Sequence, residues 1–203
     1  IVYYSNMSLE GNGCTFIMSD NSKSIFKPSA ATFTSRVNIY NFTLNYQSRT
    51  ASATPLPAIS LGQANTTSYF INIHNVTIND ANTGIGLLSA ASSFAFYITM
   101  ENVFVYRPKN YGIILQGDPT AGTGTNYNIN GFWVIGNDDF SDTAEAGLFN
   151  GITGLYINNF SVEKLSARSL IFATCDGFIG NIYIENCRLF SYVNTRGFLT
   201  FSN

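Results

Sequence analysis

Only 11% of the residues in this chain are charged, yet four carboxylates fall inside the twelve-residue stretch GNDDFSDTAEAG: Asp138, Asp139, Asp142 and Glu145. Crowded carboxylates repel one another, so one of them keeps its proton to higher pH than an isolated acid would. A general acid that protonates a leaving oxygen needs that property. Two carboxyl groups about 5 Å apart cleave glycosidic bonds with retention, and roughly 6.5–9.5 Å apart with inversion. Asp139, Asp142 and Glu163 are the candidates for this acid/base work. The plainer alternatives are a solvated acidic loop or an adventitious calcium site. His74, the sole histidine, and Glu101 form a second candidate pair if the fold makes them neighbours. Cys14, Cys175 and Cys187 have no metal-ligand spacing, and their odd count argues against a disulfide framework. No metal or other cofactor is expected.

Whether these groups meet depends on the elements that carry them, and the chain repeats itself. RVNIYNFTLN, FINIHNVTIN, FYITMENVFVY, NYNINGFWVIG, GLYINNFSVEK and NIYIENCRLFS align without gaps. Asn41, Asn75, Asn102, Gly131, Asn159 and Asn186 then share one column, at spacings of 34, 27, 29, 28 and 27 residues. A further apolar strand follows in every repeat: PAISL, GIGLL, YGIIL, AGLFN, RSLIF and RGFLTF. Strands that recur at this period with no helical text between them cannot build βαβ units. If each repeat is one turn of a solenoid, equivalent strands stack into parallel sheets about 4.8 Å apart.

The expected fold is therefore all-β, a right-handed parallel β-helix of about seven coils and three short parallel sheets, in one domain over residues 1–203. Each coil should hold a strand, a one-residue corner, a second strand, a loop and a third strand. Counting in twos, the inward columns are Val37, Ile71, Ile98, Tyr127, Leu155, Ile182 and Ile39, Ile73, Met100, Ile129, Ile157, Ile184. Beyond the corner come Phe42, Val76, Val103, Phe132, Phe160 and Cys187. The Asn column is expected to point inward as a ladder of amides that also satisfies corner backbone groups. Gly131 interrupts it but tolerates the same backbone angles.

The outward residues of such a stack form rows. One row reads Tyr40, His74, Glu101, Asn130, Asn158, Glu185, and the row two residues earlier Asn38, Asn72, Thr99, Asn128, Tyr156, Tyr183. Amides and phenols with little charge suit sugars, whose hydroxyls accept neutral hydrogen-bond partners and whose ring faces lie on aromatic platforms. His74, Glu101, Asn128, Asn130, Tyr156, Asn158, Tyr183 and Glu185 are the candidate contacts to such a polymer, against the alternative of an ordinary solvated sheet or a subunit contact. Phe104 and Trp133 stack on the outward side beyond the corner, continued by Tyr106 and Ile135. That patch is greasy for a sugar groove and reads as a contact between subunits.

A net charge of −2 argues against a broad footprint on nucleic acid or anionic membrane. No apolar run approaches the ~20 residues of a spanning helix. The opening IVYYSNMSLEGNG lacks the basic and apolar regions of a signal peptide, and the strand-like text at both ends reads as a piece of a longer protein. Sequons occur at Asn6, Asn41, Asn65, Asn75 and Asn159, and the inward assignment of Asn41, Asn75 and Asn159 argues against glycosylation there.

The repeat, together with LEGNGCTFI (Leu9 to Ile17) as an opening coil, resembles the right-handed parallel β-helix of the pectate-lyase-like superfamily, in particular bacteriophage tailspikes. The R-x-P-x-x-R element of pectate lyases is lacking, and of the polygalacturonase motifs only Asp138-Asp139 is found. The resemblance implies a virion tail protein, a homotrimer, that binds host capsule or O-antigen and whose Glu and Asp residues serve depolymerisation. Since the fold hosts many functions, a non-enzymatic structural or adhesive β-helix and a secreted polysaccharide lyase or hydrolase stay open beside it.

Overall fold

A β-strand alternates sides with period two, so a unit repeated every five residues would begin on the opposite side each time unless something resets it. Residues 71–80 show how this chain does so. Ile71 and Ile73 are buried, Asn72 and His74 face outward, and Asn75 then takes φ 53°; Val76 and Ile78 are buried, Thr77 and Asn79 face outward, and Asp80 takes φ 59°. One left-handed residue turns the chain and restarts the alternation with an inward side chain. The same grammar places corners at Phe70, Asn75 and Asp80, then at Tyr97, Asn102 and Arg107, then at Gly154, Asn159 and Lys164.

The computed structural model describes residues 1–30, 33–48, 56–63, 66–88, 94–117, 124–137, 144–165, 170–185 and 199–202. Among them there is no helix. The strands are β1 (Val2–Tyr3), β2 (Ser8–Glu10), β3 (Thr15–Met18), β4 (Lys27–Pro28), β5 (Phe33–Tyr46), β6 (Pro57–Ser60), β7 (Thr67–Asn79), β8 (Thr83–Leu87) and β9 (Phe94–Tyr106). There follow β10 (Tyr111–Gln116), β11 (Gly124–Ile135), β12 (Glu145–Asn150), β13 (Thr153–Glu163), β14 (Leu170–Ala173), β15 (Gly177–Ile179), β16 (Ile182–Glu185) and β17 (Leu199–Ser202).

Among the described residues all strand pairings are parallel and fall into three sheets. The largest runs β15-β13-β11-β9-β7-β5-β2, with β16 on β13 and β3 on β5; the second runs β17-β14-β12-β10-β8-β6; the third joins β1 and β4. Long and short strands thus stack separately, each on its equivalent from the neighbouring repeat, an arrangement consistent with a solenoid. The two strands expected on either side of the Asn corner run as one bent strand, because pairing continues through the left-handed residue. In the opening repeat, Gly11 N–H donates to Tyr40 O and Gly13 N–H to Asn41 O, so the Asn12-Gly13 turn lies on the Asn41 corner.

The inward columns hold from Val37 to Phe160: every member, including Tyr127 and Met100, is buried. Within this core Tyr127 donates its hydroxyl to Ala95 O at 3.2 Å, and Tyr3 donates to Ser60 O at 2.6 Å. The short-strand sheet presses closely on the long one. A Cβ on Gly112 would overlap Val134 Cγ2 and stand 2.6 Å from Ala146 O, so only glycine fits there.

Two expectations are corrected. The Asn ladder lies outside: Asn75 and Asn102 are exposed, Asn41 and Asn159 half-buried. Counting in twos from Ile71 assumed unbroken alternation, whereas the left-handed corner leaves His74 and Asn75 both outward. The amides still bond from coil to coil, Asn75 Nδ2 to Asn41 Oδ1 at 3.2 Å and Asn102 Nδ2 to Asn75 Oδ1 at 3.4 Å. The argument against glycosylation from inward placement therefore falls for Asn41, Asn75 and Asn159.

The last described repeat is also shifted. Ile182 pairs with Phe160 and Glu185 with Glu163, while Gly177–Ile179 pairs with Leu155–Ile157. Asn181, not Asn186, continues the ladder, donating to Asn159 Oδ1 at 3.3 Å. A slip of five residues maps one alternating segment onto the next, so pattern alone cannot detect it. Asn186 and Cys187 lie outside the described residues.

Candidate functional site

The segment between the first two corners of each long strand presents the polar face. Its outer row is Asn38, Asn72, Thr99, Asn128 and Tyr156, in register from strand to strand, and its inner row Tyr40, His74, Glu101, Asn130 and Asn158. Asn72, Glu101, Asn128, Asn130, Tyr156 and Asn158 are exposed, and Asn38, Tyr40, His74 and Thr99 are half-exposed. Strand pleating fixes this outcome, since each residue alternates with a buried aliphatic one. The sequence-predicted contacts His74, Glu101, Asn128, Asn130, Tyr156 and Asn158 are therefore brought onto one surface.

Tyr183 and Glu185 are not. They belong to β16, where Tyr183 pairs with Ser161 and Glu185 with Glu163, on the segment beyond the Asn corner. Their removal from the face follows from the five-residue slip described above.

Hydrogen bonds within the rows orient the amides. Asn72 Nδ2 donates to Asn38 Oδ1 at 2.9 Å, and Asn158 Nδ2 to Asn130 Oδ1 at 3.4 Å. The Tyr40 and His74 rings stack at 4.8 Å and 7°, and Tyr40 donates its hydroxyl to Glu10 Oε2 at 3.1 Å. His74 and Glu101 are register neighbours, as expected, but no ion pair joins them. A groove of about 260 Å³ lies over Asn38, Asn72, Ile73, His74, Thr99 and Glu101. A second concavity, about 300 Å³, sits over the corner between Asn12, Asn41, Thr43, Asn75 and Thr77. Asn38, Asn72 and Thr99 in the groove both donate and accept, and His74 and Glu101 add an imidazole and a carboxylate, which suits a ligand that does both.

Of the acidic candidates, only Glu163 is among the described residues, and it lies off this face. Asp138, Asp139 and Asp142 fall outside the described residues. Glu163 is half-buried at the end of β13, 3.7 Å from Lys164 Nζ, and Glu185 is its register partner. Gly136, which opens the acidic stretch in sequence, donates its N–H to Glu163 O at 2.8 Å, so Glu163 adjoins Gly136. This places Glu163 across the Asn corner from His74 and Glu101. Among the described residues no group of three His, Cys, Asp or Glu side chains is arranged to hold a metal ion.

Phe104 and Trp133 stack at 4.4 Å and 7°, both half-buried, with Tyr106 alongside. A Cβ on Gly131 would lie 3.1 Å from Trp133 Cη2, so the gap in the Asn ladder makes room for the indole. Sequence reasoning missed the first corner, where Phe70 and Tyr97 are 49% and 47% exposed with φ 52° and 56°. Pattern offered little warning, because bulky residues rarely take positive φ.

Comparison of the chain with protein-family models, with curated proteins and with solved structures found no match.

Proposed function

We propose that the chain is a right-handed parallel β-helix of about seven coils, of the pectate-lyase-like and tailspike kind, whose polar face binds a host surface polysaccharide such as capsule or O-antigen. The observation that carries this reading is the continuous surface, mostly amides, hydroxyls and phenols with His74 and Glu101 among them, running across five stacked strands from Asn38 and Tyr40 to Tyr156 and Asn158. A polymer of hydroxyl-bearing rings matches a surface that repeats mostly neutral chemistry at each coil. Right-handedness rests on the strong preference of parallel crossovers for that hand.

Depolymerisation is a second reading, favoured by the register pairing of Glu163 with Glu185 beside Gly136, with Asp139 and Asp142 following Gly136 in sequence. Neighbouring coils are about 4.8 Å apart, comparable with the roughly 5 Å of a retaining pair. Assembly as a homotrimer through the Phe104/Trp133 face, in a virion tail, completes the proposal. An adhesive β-helix without activity and a secreted lyase or hydrolase are the competing outcomes.

The test is binding of the chain to purified capsular and O-antigen polysaccharides, followed by assay for new reducing ends and unsaturated uronates. Binding that Asn72→Ala, Asn128→Ala and Tyr156→Ala weaken supports the polar face as the site. Binding without new ends supports the adhesin, and no binding to any polymer overturns the reading.

A further inference from the structure

The first corner of each repeat is a column of left-handed residues: Arg36, Phe70, Tyr97, Asn126 and Gly154, with φ between 52° and 68°. Asn and Gly enter this region readily, whereas a bulky side chain does so only at a conformational cost. At this corner the later repeats keep Asn and Gly. Phe70 and Tyr97 instead stand there about half exposed, with rings stacked at 4.9 Å and 10°. Residues held in costly backbone conformations concentrate where function requires the side chain.

The column also steps down. One face of Tyr97 is covered by Phe70, and its other face looks along the stack toward Asn126 and Gly154. Gly154 has no side chain, and Asn126 leans that way: its Oδ1 lies 2.9 Å from where a Cβ on Gly154 would stand. The Tyr97 ring face therefore ends the aromatic run above a floor of one amide and one glycine. Asn128 and Tyr156, both exposed, adjoin this floor on the polar face. From Tyr97 to Tyr156 is a step of two coils, about 10 Å.

Resting on the proposed polysaccharide binding, we infer that the Tyr97 ring face and the Asn126–Gly154 step form a subsite for one glycan ring. The apolar face of the sugar stacks on Tyr97, and its hydroxyls meet the amides of Asn126 and Asn128. Phe70 backs the platform and holds Tyr97 in orientation. Rings bonded on one face and hydroxylated at the edge meet both halves of this surface, and the Asp176 carboxylate, which accepts the Gly154 N–H, adds an acceptor at its margin.

The experiment compares the full chain with Tyr97→Asn, Tyr97→Gly and Phe70→Asn on immobilised capsular and O-antigen polysaccharides, with a melting curve for each. The expected result for both Tyr97 variants is a melting temperature equal to or above that of the parent with binding weakened about fivefold or more. Parent and Tyr97 variants binding equally would overturn the subsite while leaving the polar face standing. A marked drop in melting temperature in both Tyr97 variants would show that the ring holds the coils together and would overturn it too. If the parent binds no polymer but self-associates through this edge, the ridge is a contact between copies, and both this inference and the reading beneath it fail.

Discussion

Replacing Asn75 separates what its backbone does from what its amide does. The residue sits at φ 53° and its side chain makes two ladder bonds, to Asn41 at 3.2 Å and from Asn102 at 3.4 Å. Both bonds are solvent-exposed, so each belongs at the low end of the ~0.5–1.5 kcal/mol of a typical net hydrogen bond, together about 1 kcal/mol. Asn75→Gly loses only these, since glycine takes the left-handed corner without a steric cost. Asn75→Ala loses them and adds the ~1–2 kcal/mol of placing a Cβ in that region, for a total of about 2–3 kcal/mol. Urea unfolding followed by the fluorescence of the single tryptophan, with slopes compared to confirm that the transition is unchanged, measures both. The Gly variant should be the more stable by about 1–2 kcal/mol. An Ala variant as stable as the Gly variant would refute the corner argument, and a loss above ~4 kcal/mol in the Gly variant would mean that the amide is a buried one after all.

Gly112→Ala should destabilise the chain by about 1–3 kcal/mol in the same assay, because the new Cβ overlaps Val134 in a packed interior. Burial raises the ionisation of Tyr3 and Tyr127 well above the ordinary tyrosine value of about 10. The unfolded chain then loses protons first, so stability should hold up to about pH 9 and fall above about pH 10 by up to ~1.4 kcal/mol per pH unit for each tyrosine. Urea midpoints at stepped pH check the slope, which Tyr127→Phe should make shallower. Trp133→Glu should convert the proposed trimer to monomer in mass photometry while leaving the far-UV circular dichroism of the coils intact.

Much of the fold was legible because buried aliphatic residues recur at fixed offsets: Ile71, Ile98 and Leu155 had no other reason to align. The sense of the Asn column was not, since period-two counting passes straight through a residue whose left-handed φ breaks the phase. Asn at that position was itself the signal, being among the few side chains at ease there. Phe70 and Tyr97 gave the opposite message, and their corner stayed hidden. The polar face was found through its rows, up to the point where Ile182 and its neighbours fitted two frames equally well. There Tyr183 and Glu185 were assigned to the wrong segment, because burial is identical in both frames and only the Asn181 amide distinguishes them.

The recurring five-residue unit has a kinetic side. A repeat joining the growing parallel sheets closes a loop of roughly one repeat whatever the length already formed, so the entropic toll per repeat is nearly constant and assembly resembles a zipper. The error such a zipper makes is one of phase. A newcomer arriving one unit early or late hides its aliphatic side chains as well as the native one does, and hydrophobic collapse alone cannot reject it. Rejection falls to the corner side chains, because a slip of one unit sets Asn75 opposite Tyr97 or Arg107 in place of Asn102, where no ladder amide answers it. The external amides thus act as proofreaders of folding, and thinning them should slow the approach to the native state even where the finished structure barely notices their loss.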